Sequence, residues 1–398
     1  MRSVRLTVRA LLLTAAACQF DRSVVPTGQG PLVIHAVLDP AAPYTVVLIE
    51  RALTGRAIGD TVAPDPDDPI RSSGGIPVSD ATVVLRSIPP AAIGPLGECA
   101  PARGVEERSV RSDGKGAGVY HVFNSVLIDP FSRFCTGVRV QRGRVYSIEI
   151  IDPTGIRVTG RVAVPDASPV PERFAVDSLD RERDSVRLEW RTATGAVRYL
   201  LQVQSPFGPF SLFGGGTSAL LPGTLRHPLV TGTPPVFLPG FRQTITLGAV
   251  DQNFFDYYRS RFDPFAAAGI VNHLIGGSGL FGAFVPFDRR VVEVTKPITR
   301  DIEGRYRPSV SVFGGAAEIL RLYAYADSGS TLLLSGALQS DTIRSGVLGI
   351  LREAQVTLAF IRETNAADTL RVFRGTLATG SISGTIASTR SIVFRKEP

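Results

Sequence analysis

The sequence predicts an all-β chain: two β-sandwich domains followed by a small meander β-barrel. Three observations carry that expectation. Short apolar runs rich in Val, Ile and Leu recur along the chain, several alternating apolar and polar with the period of two expected of a half-buried strand. Forty glycines and 29 prolines are spread over the 398 residues, which marks many short elements joined by turns. Helical spacing stands out in one short stretch, QNFFDYYRSRF (252–262). At 44% hydrophobic and 20% charged residues the composition is globular rather than disordered. The length suits two or three domains of roughly 100–200 residues each.

The first element is a leader. Residues 1–17 combine a basic MRSVR, the apolar ALLLTAAA and small residues before Cys18. That is a secretory signal, too short for a bilayer span of roughly 20 residues. Ala15-Ala16-Ala17-Cys18 resembles a bacterial lipobox, with Ala15 where leucine is usual. A plain secretory cut also fits Ala15-x-Ala17, at the same bond, and the two readings differ only in whether Cys18 carries lipid. Each buried acyl CH₂ contributes about 0.8 kcal/mol, so several chains would anchor durably. Gln19 after the cysteine resembles an outer-membrane sorting signal. The expectation is a lipid-anchored outer-membrane protein, on its periplasmic or cell-surface face, with residues 18–30 as a tether. If Cys18 is acylated, Cys99 and Cys135 remain as a pair in an oxidising compartment, against the alternative of two free thiols. Closing that loop stabilises the fold by about 4 kcal/mol in the chain-entropy model.

The first sandwich is expected over 31–163. LVIHAVLD (32–39), YTVVLIE (44–50), ATVVLRS (81–87), GVYHVF (118–123), VYSIEII (145–151) and IRVTGRVAV (156–164) read as strands, with 54–76 a loop. A proline-rich VPDASPVPE ends the unit. The second, over 173–297, opens with SVRLEW, where Val186, Leu188 and Trp190 alternate with Arg187, Glu189 and Arg191. YLLQVQS and RQTITLGAVD follow, then the helical and aromatic insert. The third, over 302–398, strings ILRLYAYA, TLLLSGAL, QVTLAFIRE, DTLRVFRG, SISGTIAS and SIVFRK with short turns, as a meander barrel of seven or eight strands does.

Charge argues against nucleic acid as a partner. The formal +7 includes Arg2, Arg5 and Arg9; without them 40 bases face 36 acids, interspersed rather than striped. The four histidines, His35, His121, His227 and His273, are far apart, so no metal site has local support. Asp65, Asp67 and Asp68 lack the glycine and terminal Glu of a calcium loop and read as a solvated loop. Gly277–Gly282 satisfies G-x-G-x-x-G without the strand before and helix after that a dinucleotide site needs, so a glycine-rich turn is expected. No cofactor and no catalytic residues are assigned. Binding candidates are aromatic: Phe207, Phe210 and Phe213 in PFGPFSLFGGG, and Phe254, Tyr257 and Tyr258 in the helical stretch. For the latter a core role is the favoured alternative. The hairpin phenylalanines are the better candidates, because a Gly-rich loop offers little core to bury them. Trp190 is expected in the core.

Three resemblances add expectations. SVRLEWRTATGAVRYLLQV resembles the B and C strands of a fibronectin type III module. Pro77, Val78, Ala81, Val83 and Leu85, followed by Gly118-Val119-Tyr120, resemble the non-catalytic regulatory-type sandwich of carboxypeptidases and outer-membrane receptors. PLVIHAVLDPAAPYTVVLIERA, VSDATVVLRS, GVYHV, RVYSIEIIDPTGIRVTG, AVDQNFFDYYRSRFDPF and VNHLIGGSGLFGAFV, in that order over about 31–294, resemble an uncharacterised family. Its members are domain-of-unknown-function lipoproteins of Gram-negative outer membranes, often encoded beside TonB-dependent receptors. That resemblance implies a non-catalytic binding or scaffolding role with an outer-membrane receptor protein or a glycan as partner, and no enzyme. A secreted hydrolase of glycans or peptides, or a small-ligand carrier using the barrel, are the alternatives.

Overall fold

The computed structural model describes residues 30–52, 76–90, 99–107, 116–129, 134–166, 171–173, 177–227, 234–260, 271–315, 317–362, 365–387 and 389–397. The leader with Cys18, the tether and the Asp65–Asp68 loop lie outside them. The chain is almost entirely β, built from two sandwiches and a closed eight-stranded barrel.

The first part of the chain supplies β1 (Leu32–Leu38), β2 (Tyr44–Arg51), β3 (Ile76–Pro77), β4 (Thr82–Ile88), β5 (Ala102–Arg103), β6 (Val105–Glu106), β7 (Val119–Phe123), β8 (Ser125–Asp129), β9 (Phe134–Val138), β10 (Val145–Ile151) and β11 (Arg157–Ala163). The middle supplies β12 (Pro171–Arg173), β13 (Ser178–Asp180), β14 (Ser185–Trp190), β15 (Arg198–Ser205), β16 (Gly208–Gly214), β17 (Ser218–Pro222), β18 (Arg242–Val250), helix α1 (Gln252–Ser260), β19 (Leu274–Ile275) and β20 (Ser278–Thr295). The barrel strands are β21 (Gly304–Pro308), β22 (Ile319–Asp327), β23 (Thr331–Gln339), β24 (Arg344–Arg352), β25 (Gln355–Arg362), β26 (Asn365–Ala378), β27 (Ser381–Ile386) and β28 (Arg390–Lys396).

One strand joins the two sandwiches. The first half of β20 runs parallel to β1, from Val33 opposite Ser278 to Leu38 opposite Ala283. Its second half pairs antiparallel with β18, from Val285 opposite Ala249 to Glu293 opposite Arg242. A ten-stranded sheet results, with main order β16-β15-β18-β20-β1-β2-β7-β6. The G-x-G-x-x-G stretch, expected as a turn, is the start of this strand. Gly279, at φ +114, lies where a Cβ would meet the Ile34 carbonyl oxygen, so only glycine lets β20 lie against β1 here. Residues 274–285, assigned by sequence to the second unit, complete the first: Leu274, Phe281, Ala283 and Val285 belong to its core beside Ile34, Ile49, Tyr146 and Val158.

The facing sheet of the first sandwich is β19-β11-β10-β4-β5. The Tyr120 hydroxyl ties its two layers, donating to the Val78 carbonyl and accepting from the Ala81 amide, each at 2.8 Å. Burial pushes its pKa up to about 12, so it stays a hydrogen-bonded phenol. This bond links the Pro77–Leu85 motif to the Gly118-Val119-Tyr120 strand, and Tyr146 makes a similar tie to Arg139 and Gln141.

In the second sandwich, β12-β14-β17 faces β16-β15-β18-β20. This three-plus-four order is the fibronectin type III arrangement that the strand sequence suggested. Trp190 lies in the core, its ring 5.3 Å from that of Tyr199. The barrel closes β28 onto β21, with Tyr306, Leu322, Leu334, Leu358, Phe360, Phe373 and Phe394 filling its interior. Alternation along each strand places these side chains inside, as a small barrel requires.

Candidate functional site

The aromatic candidates are placed first by their backbone. The PFGPFSLF stretch is not a loose loop: Pro206 and Phe207 form a two-residue turn and residues 208–214 form β16. Phe210 is 7% exposed and edge-on to His227, inside the second core. Phe213 packs on the helix, 5.4 Å from Phe255 and 6.3 Å from Phe254. Phe207 packs beside Leu238, Phe241 and Ile361, where the second sandwich meets the barrel. The reason that singled out the hairpin rings therefore fails, because cores on three sides receive them.

Helix α1 behaves as a core element. Asp251 caps it: Oδ1 accepts from the amides of Phe254 and Ala283, and Oδ2 from that of Asn253. The Asn253 side chain then donates to the carbonyls of Arg161 and Phe281. Cap and stitch lay the helix over the outer face of β1 and β20, where Phe254, Tyr257 and Tyr258 pack on Val37, Leu280 and Phe284. The Tyr258 hydroxyl is 3.3 Å from His35 Nε2. Burial pushes the Asp251 carboxyl up to about 6, against the pull of its three amide donors. Asp256 goes the other way. Burial works against ionisation there, yet hydrogen bonds from Gln252, Arg259 and His273 hold its carboxyl below the ordinary range. His273 Nε2 and Asp256 Oδ2 are 3.1 Å apart, but the nearby Ser260 hydroxyl is spent on the Tyr257 carbonyl and the Val271 amide. The group holds the helix in place; it has no poised nucleophile.

Between the second sandwich and the barrel lies a cleft of about 270 Å³, lined in part by Glu293, Arg321, Gln339, Asp341 and Arg344. Arg321 meets Glu293 at 3.3 Å, and Arg344 donates to the Gln339 side chain and to the Gly240 carbonyl at 2.9 Å each. It is a polar seam between modules.

Exposed apolar side chains occur on all three modules, and one group of them lies at an end of the first sandwich. Tyr44 and Phe123 are directly opposite on β2 and β7, and the Tyr44 ring stacks on His121 at 4.6 Å and 3°. His121 Nε2 lies 3.5 Å from Glu107. Just beyond, the β8–β9 ribbon exposes Leu127 and Ile128. Cys135, on β9, forms the disulfide with Cys99, as the cysteine count anticipated. None of Tyr44, His121, Phe123, Leu127 or Ile128 stood out from the sequence as a binding candidate. The available cue was NSVLIDPF, where consecutive apolar residues beside an Asp-Pro turn break the alternation of a one-faced strand.

No protein-family model and no curated protein matches the chain. Among solved structures, the chain is similar to the FN1–FN3 domains of chicken CNTN1, at 10% identity over 94% of this chain and 100% of that one, with a TM-score of 0.17. It is also similar to a Ca²⁺-stabilised adhesin with which an Antarctic bacterium binds ice, at 8% identity over 93% and 91%, with a TM-score of 0.15. Scores this low carry no argument, and the fold assignment rests on the strand order above.

Proposed function

We propose that this protein is a lipid-anchored outer-membrane scaffold, without catalysis of its own, that serves a TonB-dependent uptake complex or surface adhesion. The observation that carries the reading is the way the three modules are joined. One 18-residue strand, β20, belongs to both sandwiches, and the barrel is docked onto the second. At that docking Phe241 lies against Gly346, where a Cβ would strike its ring, and Lys296 forms a buried ion pair with Glu303. A chain built this way holds its three modules in one arrangement, which suits a presenting scaffold.

Membership of the uncharacterised lipoprotein family is proposed from the order of its signature segments alone; the first, PLVIHAVLD, contains β1, and the last, VNHLIGGSGLFGAFV, contains the first half of β20, its hydrogen-bonded neighbour. The carrier alternative finds a barrel interior already occupied by Phe360, Phe373 and Phe394. The test has two parts in the native host. Mass spectrometry of the amino-terminal peptide should find Cys18 acylated, and affinity capture from detergent-solubilised outer membranes should recover a receptor component. An unmodified Cys18 sinks the anchor; recovery of no envelope protein sinks the scaffold.

A further inference from the structure

An arginine is built into the joint between the second sandwich and the barrel, and the described residues give it no counter-ion. Arg181 directly follows β13, and its amide extends that strand's pairing with β20 by donating to the Thr295 carbonyl at 2.8 Å. Alternation then turns its side chain to the same side as Leu179, a residue of the second core, and leaves Arg181 only 7% exposed. Gly223 fixes the backbone from the other side: a Cβ there would meet the Arg181 carbonyl oxygen at 2.4 Å. From this position the guanidinium reaches the barrel, where Nη1 donates to the Tyr325 carbonyl on β22 at 3.4 Å, a long bond.

That is the guanidinium's one hydrogen bond among the described residues, and its Nε is sealed from water without an acceptor. Nε and Nη2 form the edge with which a guanidinium grips two oxygens of one anion. The acids nearest in sequence are turned to other work. Asp180 accepts from the Glu182 amide and Asp184 from the Asp180 amide, at 2.9 Å each, while Glu182 is exposed. Burial opposes the charge on Arg181, and Arg226 lies close enough to oppose it further. An arginine stays protonated regardless. The Tyr325 phenol is the other titratable group near it from the barrel, and burial pushes that pKa up, so it stays neutral. A buried charge that meets no partner is costly, so this part of the joint is short of one negative charge.

We propose that Arg181, with Arg226 beside it, holds a small diffusible oxyanion, of the phosphate or sulfate kind, between the second sandwich and the barrel. The unpartnered two-donor edge argues for an oxyanion over a halide. The enclosure argues for a free ion over a phosphate carried on a lipid or a glycan, which needs an open face. Such an ion neutralises the sandwich group that reaches β22 and so strengthens the docking of the barrel. The proposal rests neither on the scaffold reading nor on lipidation of Cys18.

The experiment uses the full chain, dialysed into Tris buffer with chloride as the only anion, to which inorganic phosphate is added at constant ionic strength. Calorimetry reads the thermal midpoint and isothermal titration the affinity. Phosphate at about a hundredfold its Kd should raise the parent's midpoint by at least about 2 °C. Arg181→Met should abolish that rise, and Arg226→Gln should weaken phosphate at least about fivefold. Arg352→Gln, at an exposed arginine of β24, should change neither quantity. In chloride alone Arg181→Met should melt no earlier than the parent, because it removes a charge that nothing neutralises. Glycerol 3-phosphate should bind at least about tenfold more weakly than phosphate, the ester finding no room. A parent midpoint that phosphate does not move overturns the inference, as does an equal rise in Arg181→Met or equal affinity in Arg226→Gln. An Arg181→Met chain that melts several degrees early in chloride, or fails to fold, also overturns it, by showing the guanidinium already satisfied within the chain. Equal binding of glycerol 3-phosphate overturns the enclosed site in favour of an open one.

Discussion

At the scale of single residues, Asp251 shows how a helix cap and a charge penalty coexist. Its oxygens satisfy three amides at the junction of α1 and β20, and the side chain is buried so deeply that the carboxyl is pushed up to about 6. The folded state therefore holds this proton over a range, from about 4 to about 6, in which the unfolded chain has released it. Stability falls as pH rises through that window, by about 3 kcal/mol for a shift of this size. Asp152, Asp256 and Glu303 have depressed pKa values, so their contribution is lost on acidification below the ordinary carboxylate range. The two effects occupy different windows. Asp251→Asn should flatten the decline between pH 4 and pH 6, read as urea-unfolding free energies at both values; an unchanged slope would refute the assignment. Trp190 and the cysteine pair were readable at this scale because alternation and counting need no partner. The state of Asp251 was not, because its burial comes from Ala283 and its neighbours on a strand 32 residues downstream.

Among elements, the alternating strands were the readable ones: Tyr146, Ile148 and Ile150 face inward from β10 as their spacing required. Helix α1 was readable for the same reason. The segments that escaped are those that obey no single face. β20 is covered on both faces over residues 280–285, by the first core and by α1, so its apolar run carries no period and its glycines read as a turn. The β8–β9 ribbon leaves both Leu127 and Ile128 exposed, so its pattern also breaks. The disulfide at its base is its main covalent restraint. Cys135→Ser should cost about 4 kcal/mol, given the separation of 36 residues, and should make cleavage by protease within 125–138 faster than in the parent chain. An unchanged unfolding free energy and cleavage rate would show that the hydrogen bonds of Asn124 and Ala100 suffice.

Over the whole molecule, the joints decide the behaviour. Burial disfavours charge on Glu303, yet Lys296 together with the amides of Thr299, Arg300 and Ala324 holds its carboxyl below the ordinary range. Lys296→Met leaves that carboxylate buried without its counter-ion and should cost about 3–5 kcal/mol, seen in calorimetry as an earlier transition of the barrel and its docking face. Gly346→Val should drive a side chain into the Phe241 ring and weaken the same joint by about 1–3 kcal/mol. Loss of neither transition temperature nor cooperativity in both variants would mean that the modules are independent. The order of the modules could be read along the chain, but their joints could not. Pairing of β1 with β20, across some 240 residues, has no local signature.

That pairing also sets a timetable. A polypeptide synthesised from its amino terminus delivers β1 early and its β20 partner some 240 residues later. Until Ser278–Val285 has been made, β1 lacks a neighbour along one side and the first core lacks Phe281, Ala283 and Val285. The first module thus stays open while the whole second module is being delivered. A chain truncated before residue 278 should therefore be cut by protease as an unfolded substrate rather than persist as a folded domain.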